Sequence, residues 1–315
     1  MPVRNLMALT PRPNRTQFMA PYPDGCRLTG GLLTAYRVAA HNGAMPEGDT
    51  IFRTAEVLRA ALVGRRITAA RAQAQPGLRS VPDLSRLIDA TVASVEARGK
   101  HLLIGFDNGF TLRSHLRMTG SWHRYRPGER WRRPVSQASA VIETAESVAV
   151  AFNTPVVELL TEAGLRRSRA LTTLGPDLLS RSFDADEALR CLRERPREEL
   201  GNALLAQRAI AGIGNVYKSE VAFIEALDPW AQLGSFDDAE LLGALRTARR
   251  LLRANTRGGS RTTTGSPGRG HALWVYGRAG RPCRRCGTPV LVRRQGELAR
   301  LTYWCPRCQS SPRAW

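Results

Sequence analysis

The chain has 315 residues, enough for two or three domains with substantial cores, and no apolar run in it approaches the length of a membrane span. Its formal net charge of +20 lies far outside the range usual for a soluble enzyme that acts on small molecules. This charge favours a polyanionic partner, nucleic acid first and an acidic membrane surface second. Arginine supplies almost all of the excess, because Lys100 and Lys218 are the only lysines.

Residues 1–44 differ in composition from the rest of the chain. They contain five arginines, one acidic residue and several prolines, without clear periodicity. The stretch MPEGDT, which follows at Met45, is typical of the start of a protein. We therefore expect residues 1–45 to be an extension, namely a disordered tail, a targeting segment or an upstream translation from a misplaced start. Translation of the functional chain would begin at Met45, which is then removed.

Regular patterns begin after this extension. Apolar residues recur at helical spacing from Ile51 to Leu62, with Asp49 or Thr50 available as the N-cap and Gly64 as the stop. Residues 65–160 then read as short strands separated by turn signals. The segments predicted as strands are RRITAARAQ, TVASVEARGKHLLIGFD, FTLRSHLRMTGSW and SAVIETAESVAVAF.

The middle of the chain is predicted to be helical over residues 175–255. Breaks are expected at Pro196, at AGIGN and at Asp228–Pro229. Within GNALLAQRAIAGIGNVYKSEVAFIEAL, a glycine-rich turn separates two apolar helices. Residues 256–270 form a low-complexity basic loop.

Four of the six cysteines follow the pattern C-x2-C-x18-C-x2-C, in which two thiolate pairs complete a tetrahedron around one zinc ion. The segment between the pairs reads as strand, turn at Gly296 and strand, so zinc would hold a β-hairpin. Two disulfides are the alternative, which the lack of a secretory signal disfavours. Cys26 and Cys191 fit no spacing rule, and we interpret both as incidental. The four predicted zinc ligands are Cys283, Cys286, Cys305 and Cys308.

Pro46 and Glu47 can carry covalent chemistry on one condition. Inside a chain the proline nitrogen is a tertiary amide, whereas at a free N-terminus it is a secondary amine. With an α-amino pKa near 7.7–8.0, about 10–20% of such an amine is neutral at pH 7. It is then a nucleophile toward a sugar C1′ and can form a charged iminium, with Glu47 available as a general acid.

Several motifs together resemble one known family. In chain order they are MPEGDT, RGKHLL, SHLRMTG, LLAQRAIAGIGNVYKSE, VYGRAGRPCRRCGTPV and ARLTYWCPRCQ. From residue 46 to about 309 the sequence resembles the formamidopyrimidine-DNA glycosylase and endonuclease VIII family of base-excision repair enzymes. MPEG and YWCPRCQ resemble the endonuclease VIII branch, and HLRMTG and GIGNVYKSE the other branch. This mixture is similar to actinobacterial members of the endonuclease VIII group.

The resemblance implies three catalytic residues. Pro46, after removal of Met45, matches the family's catalytic amine. Glu47 matches its essential acid. Lys100 in RGKHLL matches the lysine that reaches the phosphate at the lesion, with a solvated strand lysine as the alternative.

One position departs from the family pattern. The family commonly carries glutamate at the fifth residue after the methionine, where this chain has Thr50, preceded by Asp49. Either Asp49 takes over part of the electrostatic role of that glutamate, or the damage spectrum and the proton handling differ.

The resemblance also implies DNA-binding residues. Met118 matches the apolar wedge that fills the gap left by an everted base, with a core methionine as the alternative. Asn215 matches a phosphate-contacting asparagine, with a helix cap as the alternative, and Lys218 follows on the same helix, where a solvated face is equally expected. Arg300 matches the hairpin arginine that grips the phosphate. The longer cysteine spacing leaves two further arginines as alternatives, Arg293 and Arg294.

The fold implied is α+β and multidomain, with an N-terminal β-sandwich and leading helix, a helix-two-turn-helix domain and a C-terminal β-hairpin zinc finger. One structural Zn²⁺ is the only cofactor expected. The expected units are an extension over residues 1–45, a catalytic β-sandwich over 46–170, a helix-two-turn-helix DNA-binding domain over 175–256, a flexible loop over 257–270 and a zinc finger over 271–315.

The function implied is a bifunctional DNA glycosylase and AP lyase, which removes oxidised bases, pyrimidines favoured, and nicks the strand by β,δ-elimination through a proline Schiff base. One alternative is an oxidised-purine glycosylase for formamidopyrimidine or 8-oxoguanine. Another is a non-enzymatic zinc-containing DNA-binding protein, if Pro46 is never exposed. We expect damaged double-stranded DNA as the partner, no membrane, no obligatory protein partner, and a monomer in the bacterial cytoplasm, associated with the nucleoid.

Overall fold

A computed structural model of the chain describes residues 45–74, 80–268 and 270–310. The predictions made for residues 1–44, including Cys26, lie outside this range. The helices in it are α1 (Gly48–Leu62), α2 (Glu162–Arg167), α3 (Arg169–Thr172), α4 (Ala185–Arg193), α5 (Leu200–Ala203), α6 (Asn215–Ile224) and α7 (Asp238–Ala254). The strands in it are β1 (Ile67–Ala72), β2 (Val92–Arg98), β3 (His101–Phe106), β4 (Phe110–His115), β5 (Ser121–Tyr125), β6 (Ala138–Thr144), β7 (Val148–Phe152), β8 (Val156–Thr161), β9 (Leu291–Gln295) and β10 (Arg300–Trp304).

The N-terminal part is a sandwich of two antiparallel four-stranded sheets. One sheet has the strand order β1-β6-β7-β5 and the other the order β2-β3-β4-β8. Alternate side chains of both sheets point inward and meet the apolar face of α1 in a single core, in which Leu58, Ile104 and Ile142 are all buried. The predicted β-sandwich with one leading helix is therefore confirmed.

Two local predictions for this part need correction. Helix α1 begins at Gly48 with Glu47 as its N-cap, so the predicted cap at Asp49 or Thr50 is wrong. The reason is that the side chains of Asp49 and Thr50 are both bonded to Arg261, as described below. Gly64 has a φ of +76° and does end the helix. Strand β8 was not among the predicted strands, because a short apolar run such as VVELLT has no distinctive period.

The helices after residue 175 surround a second core, in which Leu192 of α4, Val221 of α6 and Leu245 of α7 are buried. The predicted breaks are confirmed. Pro196 follows the end of α4, AGIGN leads directly into α6, and Asp228–Pro229 follows α6. The two helices predicted on either side of the glycine-rich turn are α5 and α6, and α6 faces the sandwich.

The C-terminal module is an antiparallel hairpin of β9 and β10, with Gly296 at a φ of +67° in the turn. The hairpin lies against α6, because Phe223 of α6 shares a small buried core with Val275, Val290 and two of the cysteines. The predicted strand–turn–strand is confirmed. Within the described residues, no helix is long and apolar enough to cross a membrane.

Candidate active site between the sandwich and the helical domain

Glu47 joins the two domains at the start of α1. Its carboxylate accepts hydrogen bonds from the backbone N–H groups of Gly214, Val216 and Tyr217, at 2.8, 2.8 and 3.3 Å. These groups belong to the first turn of α6, whose N-terminal N–H groups have no partner within the helix. Glu47 therefore caps α6 from another domain, where the helix dipole also favours a negative charge.

Glycine at position 214 makes this contact possible. Gly214 is the N-cap residue of α6 and has no side chain with which to cap the helix itself. A Cβ atom at this position would overlap the carboxyl group of Glu47. The backbone of α1 approaches the same turn, because Gly48 N–H donates to the carbonyl of Gly212 at 2.9 Å. The motif GIGN thus provides a surface that fits one acidic side chain.

The carboxyl group of Glu47 is fully buried, and burial raises its pKa above the ordinary value of 4.5. The charges of Arg261 and Lys100 oppose this rise. A buried carboxyl group with a raised pKa keeps its proton to a higher pH than an exposed one and can release it to a substrate. Pro46 precedes Glu47 and is half-buried, so the peptide nitrogen of residue 46 lies at the edge of the same site.

Lys100 approaches this site from the turn between β2 and β3. The turn is fixed by Asp177 of the helical domain, whose Oδ2 accepts the N–H of Gly99 at 2.6 Å. The pKa of Lys100 is lowered to about 8, mainly by burial and also by Arg300 and Arg261, while Glu47 opposes the shift. The electrostatic neighbours of Lys100 therefore come from α1, from the loop after α7 and from the hairpin.

Arg261 and Asp49 form a buried ion pair that the sequence did not suggest. Asp49 accepts from Nε of Arg261 at 2.9 Å and from Nη2 at 2.6 Å, and Thr50 Oγ1 accepts from Nη2 at 3.0 Å. The guanidinium lies 5.1 Å from the ring centroid of Tyr217. Only 8% of the Arg261 side chain is exposed. The loop predicted as flexible is thus anchored to α1 at this residue.

Met118 and Arg300 face each other across the domains. Met118 lies in the turn between β4 and β5 and is 52% exposed, which does not fit a core methionine. Arg300, the first residue of β10, donates from Nη1 to Met118 Sδ at 3.5 Å. The structure therefore brings the predicted wedge and the predicted hairpin arginine together.

Asn215 and Lys218 both bind the hairpin. Asn215 Nδ2 donates to the carbonyl of Leu301 at 2.7 Å, and Lys218 Nζ donates to Thr302 Oγ1 at 2.7 Å. Lys218 is fully buried, so it is not on a solvated face, and burial lowers its pKa to about 7 while Glu47 raises it. Phosphate contact by these two residues stays a prediction.

The four cysteines converge beneath the hairpin, with all Sγ atoms within 4.8 Å of one another. The Sγ atoms of Cys283 and Cys308 are 3.9 Å apart, and those of Cys286 and Cys305 are 3.5 Å apart. These values bracket the edge of about 3.8 Å of a tetrahedron with Zn–S bonds of about 2.3 Å, and exceed a disulfide bond of about 2.05 Å. Four thiols with no open position fit a structural zinc ion.

Three family models match consecutive parts of the chain. The formamidopyrimidine-DNA glycosylase N-terminal domain matches residues 45–155, the H2TH domain of that glycosylase matches residues 174–266, and the zinc finger found in FPG and IleRS matches residues 280–310. Together they span the sandwich, the α6 region and the cysteine module.

Curated relatives and solved structures agree with these matches. The chain is 46% identical over 273 residues to "Probable endonuclease 8 2" of Streptomyces coelicolor, covering 85% of this chain and 95% of the relative. It is 42% identical to "DNA-(apurinic or apyrimidinic site) lyase Nei2" of Mycolicibacterium smegmatis, over 85% of this chain and all of the relative. The Lactococcus lactis Fpg structure with abasic-site DNA has a TM-score of 0.71 at 21% identity, over 84% of this chain and all of that one. It therefore shows the same fold.

Proposed function

The chain belongs to the formamidopyrimidine-DNA glycosylase and endonuclease VIII family, and we propose that it removes oxidised bases, with pyrimidines preferred, by covalent catalysis from a Pro46 amine. Membership makes it a DNA glycosylase and AP lyase of base-excision repair. Beyond this membership, we propose which residues act as nucleophile and acid, which residues contact DNA, and which class of lesion is removed.

The position of Pro46 beside Glu47 is the observation that carries this proposal. Glu47 is fixed by three backbone N–H groups at the junction of the domains, and Pro46 lies directly before it. The family match begins at residue 45, and the Mycolicibacterium smegmatis relative is covered over its whole length by 85% of this chain. Both facts support an active form in which Pro46 is the first residue.

As a first residue, Pro46 carries a secondary amine. Its lone pair forms a bond to C1′ of the lesion nucleotide while the N-glycosidic bond breaks. The base leaves with the electron pair of the N-glycosidic bond and takes up the proton that the amine loses. Glu47 in its protonated form donates to the sugar oxygen, which opens the ring and gives an iminium. Loss of a C2′ proton then expels the 3′ phosphate, and loss of a C4′ proton expels the 5′ phosphate.

The DNA would lie along the surface where the three parts of the chain meet. We propose that Lys100 and Arg300 hold phosphates beside the everted nucleotide and that Met118 fills its place in the stack. Asn215 and Lys218 would act through the hairpin, because both already donate hydrogen bonds to β10. The net charge of +20 supplies affinity for any duplex.

The preference for pyrimidines rests on the loop after α7. In the purine branch this region covers the everted base, and here the segment 256–270 is short and rich in glycine. Its residues Arg261 and Thr263 are tied to Asp49 and Glu220. Little of the loop is left to enclose a bulky base, which favours the smaller lesions.

The test compares a chain that starts at Pro46 with the full 315-residue chain, shown by mass spectrometry to retain Met1. Both are incubated with duplexes that carry an oxidised pyrimidine, 8-oxoguanine or no lesion, with and without borohydride. The shorter chain should cut the pyrimidine duplex and be trapped on it, whereas the full chain should bind without cutting, because an amide nitrogen forms no iminium.

Arg193→Gln, which removes a distant ion pair with Asp238, is the control and should cut normally. An adduct formed by the full chain at the rate of the shorter one would assign the nucleophile to another amine. Faster cutting of 8-oxoguanine would favour the purine alternative.

A further inference from the structure

The guanidinium of Arg261 lies against the peptide that contains the Pro46 nitrogen. Its Nη1 is 3.5 Å from the carbonyl oxygen of Met45 and 3.8 Å from Glu47 Oε1. Its Nε and Nη2 are bound by Asp49. One buried cation therefore lies beside Glu47 and beside the carbonyl group that is bonded to the Pro46 nitrogen.

We propose that Arg261 is a positioning residue, which orients Glu47 and holds the Pro46 amine in its neutral, nucleophilic form. The inference rests on the proposed function. A fixed positive charge beside an amine disfavours the ammonium form and so activates the amine as a nucleophile. The bidentate contact with Asp49 fixes the guanidinium in its plane, which a lysine cannot reproduce.

This arrangement accounts for the departure at Thr50. The family's usual glutamate is replaced by a hydroxyl that accepts from Arg261, and the carboxylate is supplied one residue earlier by Asp49. A carboxylate at position 49 points to the arginine and so limits the positive charge without removing it. The charge near Pro46 would thus be set by this pair, in which Arg261 lies 212 residues after Asp49 in sequence.

Several other ionisable groups lie around Arg261 and Glu47. The effect of Arg261 on the pKa of the Pro46 amine is therefore best measured as a difference between variants. Glu47 and Asp49 oppose its charge and lie on or beside α1. Three cations reinforce it from the sandwich, from α6 and from the hairpin. Two tyrosines from α6 and the segment after the loop complete the surroundings. These five are Lys100, Lys218, Arg300, Tyr217 and Tyr276.

Arg53 provides a matched control for a purely structural role of the loop. Its Nη1 donates to the carbonyl of Gly259 at 2.8 Å, and its Nη2 lies 3.8 Å from Asp49 Oδ2. Arg53 therefore holds the same loop to the same helix, but through Gly259 and Asp49 rather than through Met45 or Glu47. Arg53→Gln should loosen the loop and leave the charge beside Pro46 in place.

The experiment uses chains that start at Pro46, labelled with ¹³C and ¹⁵N in proline. The pKa of the Pro46 amine is measured by NMR, and the acid limb of single-turnover cleavage is measured on an abasic-site duplex. Arg261→Gln should raise both by about one unit, since an adjacent charge shifts a pKa by one unit or more. Arg261→Lys keeps the positive charge, so both values should lie close to those of the unsubstituted chain. Asp49→Asn should lower both values, and Arg53→Gln should change neither.

The double variant Asp49→Asn with Arg261→Gln removes both charges and should return the amine pKa close to that of the unsubstituted chain. Neither position of the Asp49–Arg261 pair then carries a buried charge without its partner, so the double variant keeps the test usable if a single variant fails to bind DNA. An unchanged Pro46 pKa in Arg261→Gln, or an equal shift in Arg53→Gln, overturns the inference. Failure of the unsubstituted chain to be trapped by borohydride would instead contradict the proposed function, and the NMR comparison would still decide the role of Arg261.

Discussion

We expect the replacement of Glu47 by glutamine to separate the two activities of the protein. In an intact lesion nucleotide the closed sugar ring needs the proton that we assign to Glu47 in order to open, whereas an abasic site is already in equilibrium with its ring-opened aldehyde. In a chain that starts at Pro46, Glu47→Gln should therefore slow the release of a damaged base by about 10²–10⁴-fold, the usual contribution of a general acid. Cleavage of a ready-made abasic site should fall much less.

The structure predicts that this variant stays folded. Glu47 Oε2 accepts from Gly214 and Tyr217, so the amide oxygen of glutamine can keep those two bonds, while Val216 N–H loses its acceptor. An unsatisfied buried donor costs about 1–3 kcal/mol. Removal of a buried charge offsets this loss, so the melting temperature should change by less than about 8 °C.

The pH dependence of stability gives a second check. Folding raises the pKa of Glu47 above 4.5, so the ionised carboxylate is disfavoured in the native state. Its destabilising effect is absent below pH 4.5 and grows as the pH rises towards the native pKa. Glutamine carries no charge at any pH. The stability of Glu47→Gln relative to the unsubstituted protein should therefore increase with pH across this window.

Glu220→Gln is the matched control. Glu220 is equally buried and accepts from the backbone N–H groups of Trp274, Val275 and Tyr276, but it holds the segment after the loop rather than Pro46. This control should lower both activities by the same factor. If both glutamine variants leave the ratio of base release to abasic-site cleavage unchanged, Glu47 is not the acid.

Three further predictions concern the remaining parts of the site. Cys283→Ser or chelation should disorder the hairpin and abolish DNA binding while the sandwich stays folded, as circular dichroism and binding assays would show; full duplex affinity without metal contradicts it. Binding to about four to six phosphates predicts a log–log salt slope of roughly −4 to −5, which Arg300→Gln should reduce by about one and Arg193→Gln should not. Gly214→Ala should destabilise the protein by about 1–3 kcal/mol in thermal unfolding, because its Cβ overlaps Glu47.

Features that depend on residues close together in sequence were predictable. The cysteine spacing requires only two tight turns, and Gly296 between two apolar runs indicates a hairpin whatever surrounds it. The apolar face of α1 and its stop at Gly64 follow from helical periodicity. These signals, with the ordered motifs, were enough to predict the fold and the family.

Features that depend on contacts between distant segments were not predictable. Asp49 reads as an N-cap, because nothing near it in sequence shows that Arg261 will take its carboxylate. Arg261 lies in a low-complexity basic stretch, where one arginine looks like any other. Lys218 follows GIGN, whose asparagine is predicted to contact phosphate, and so looks like a surface residue in the sequence, yet its Nζ is bonded to Thr302 of the hairpin. In each case the deciding partner lies at least 84 residues away.

The same contacts that form the site also join the domains. Glu47, at the start of α1 in the sandwich domain, caps α6 of the helical domain. Arg261 binds the loop after α7 to α1, and Lys218 binds α6 to the hairpin. Each of these three side chains, Glu47, Arg261 and Lys218, would lack its partner if its domain folded alone. An unpaired buried charge is strongly destabilising. The proposed catalytic arrangement consequently exists only when all three parts have docked, so the reactivity that we propose for Pro46 depends on the completed fold.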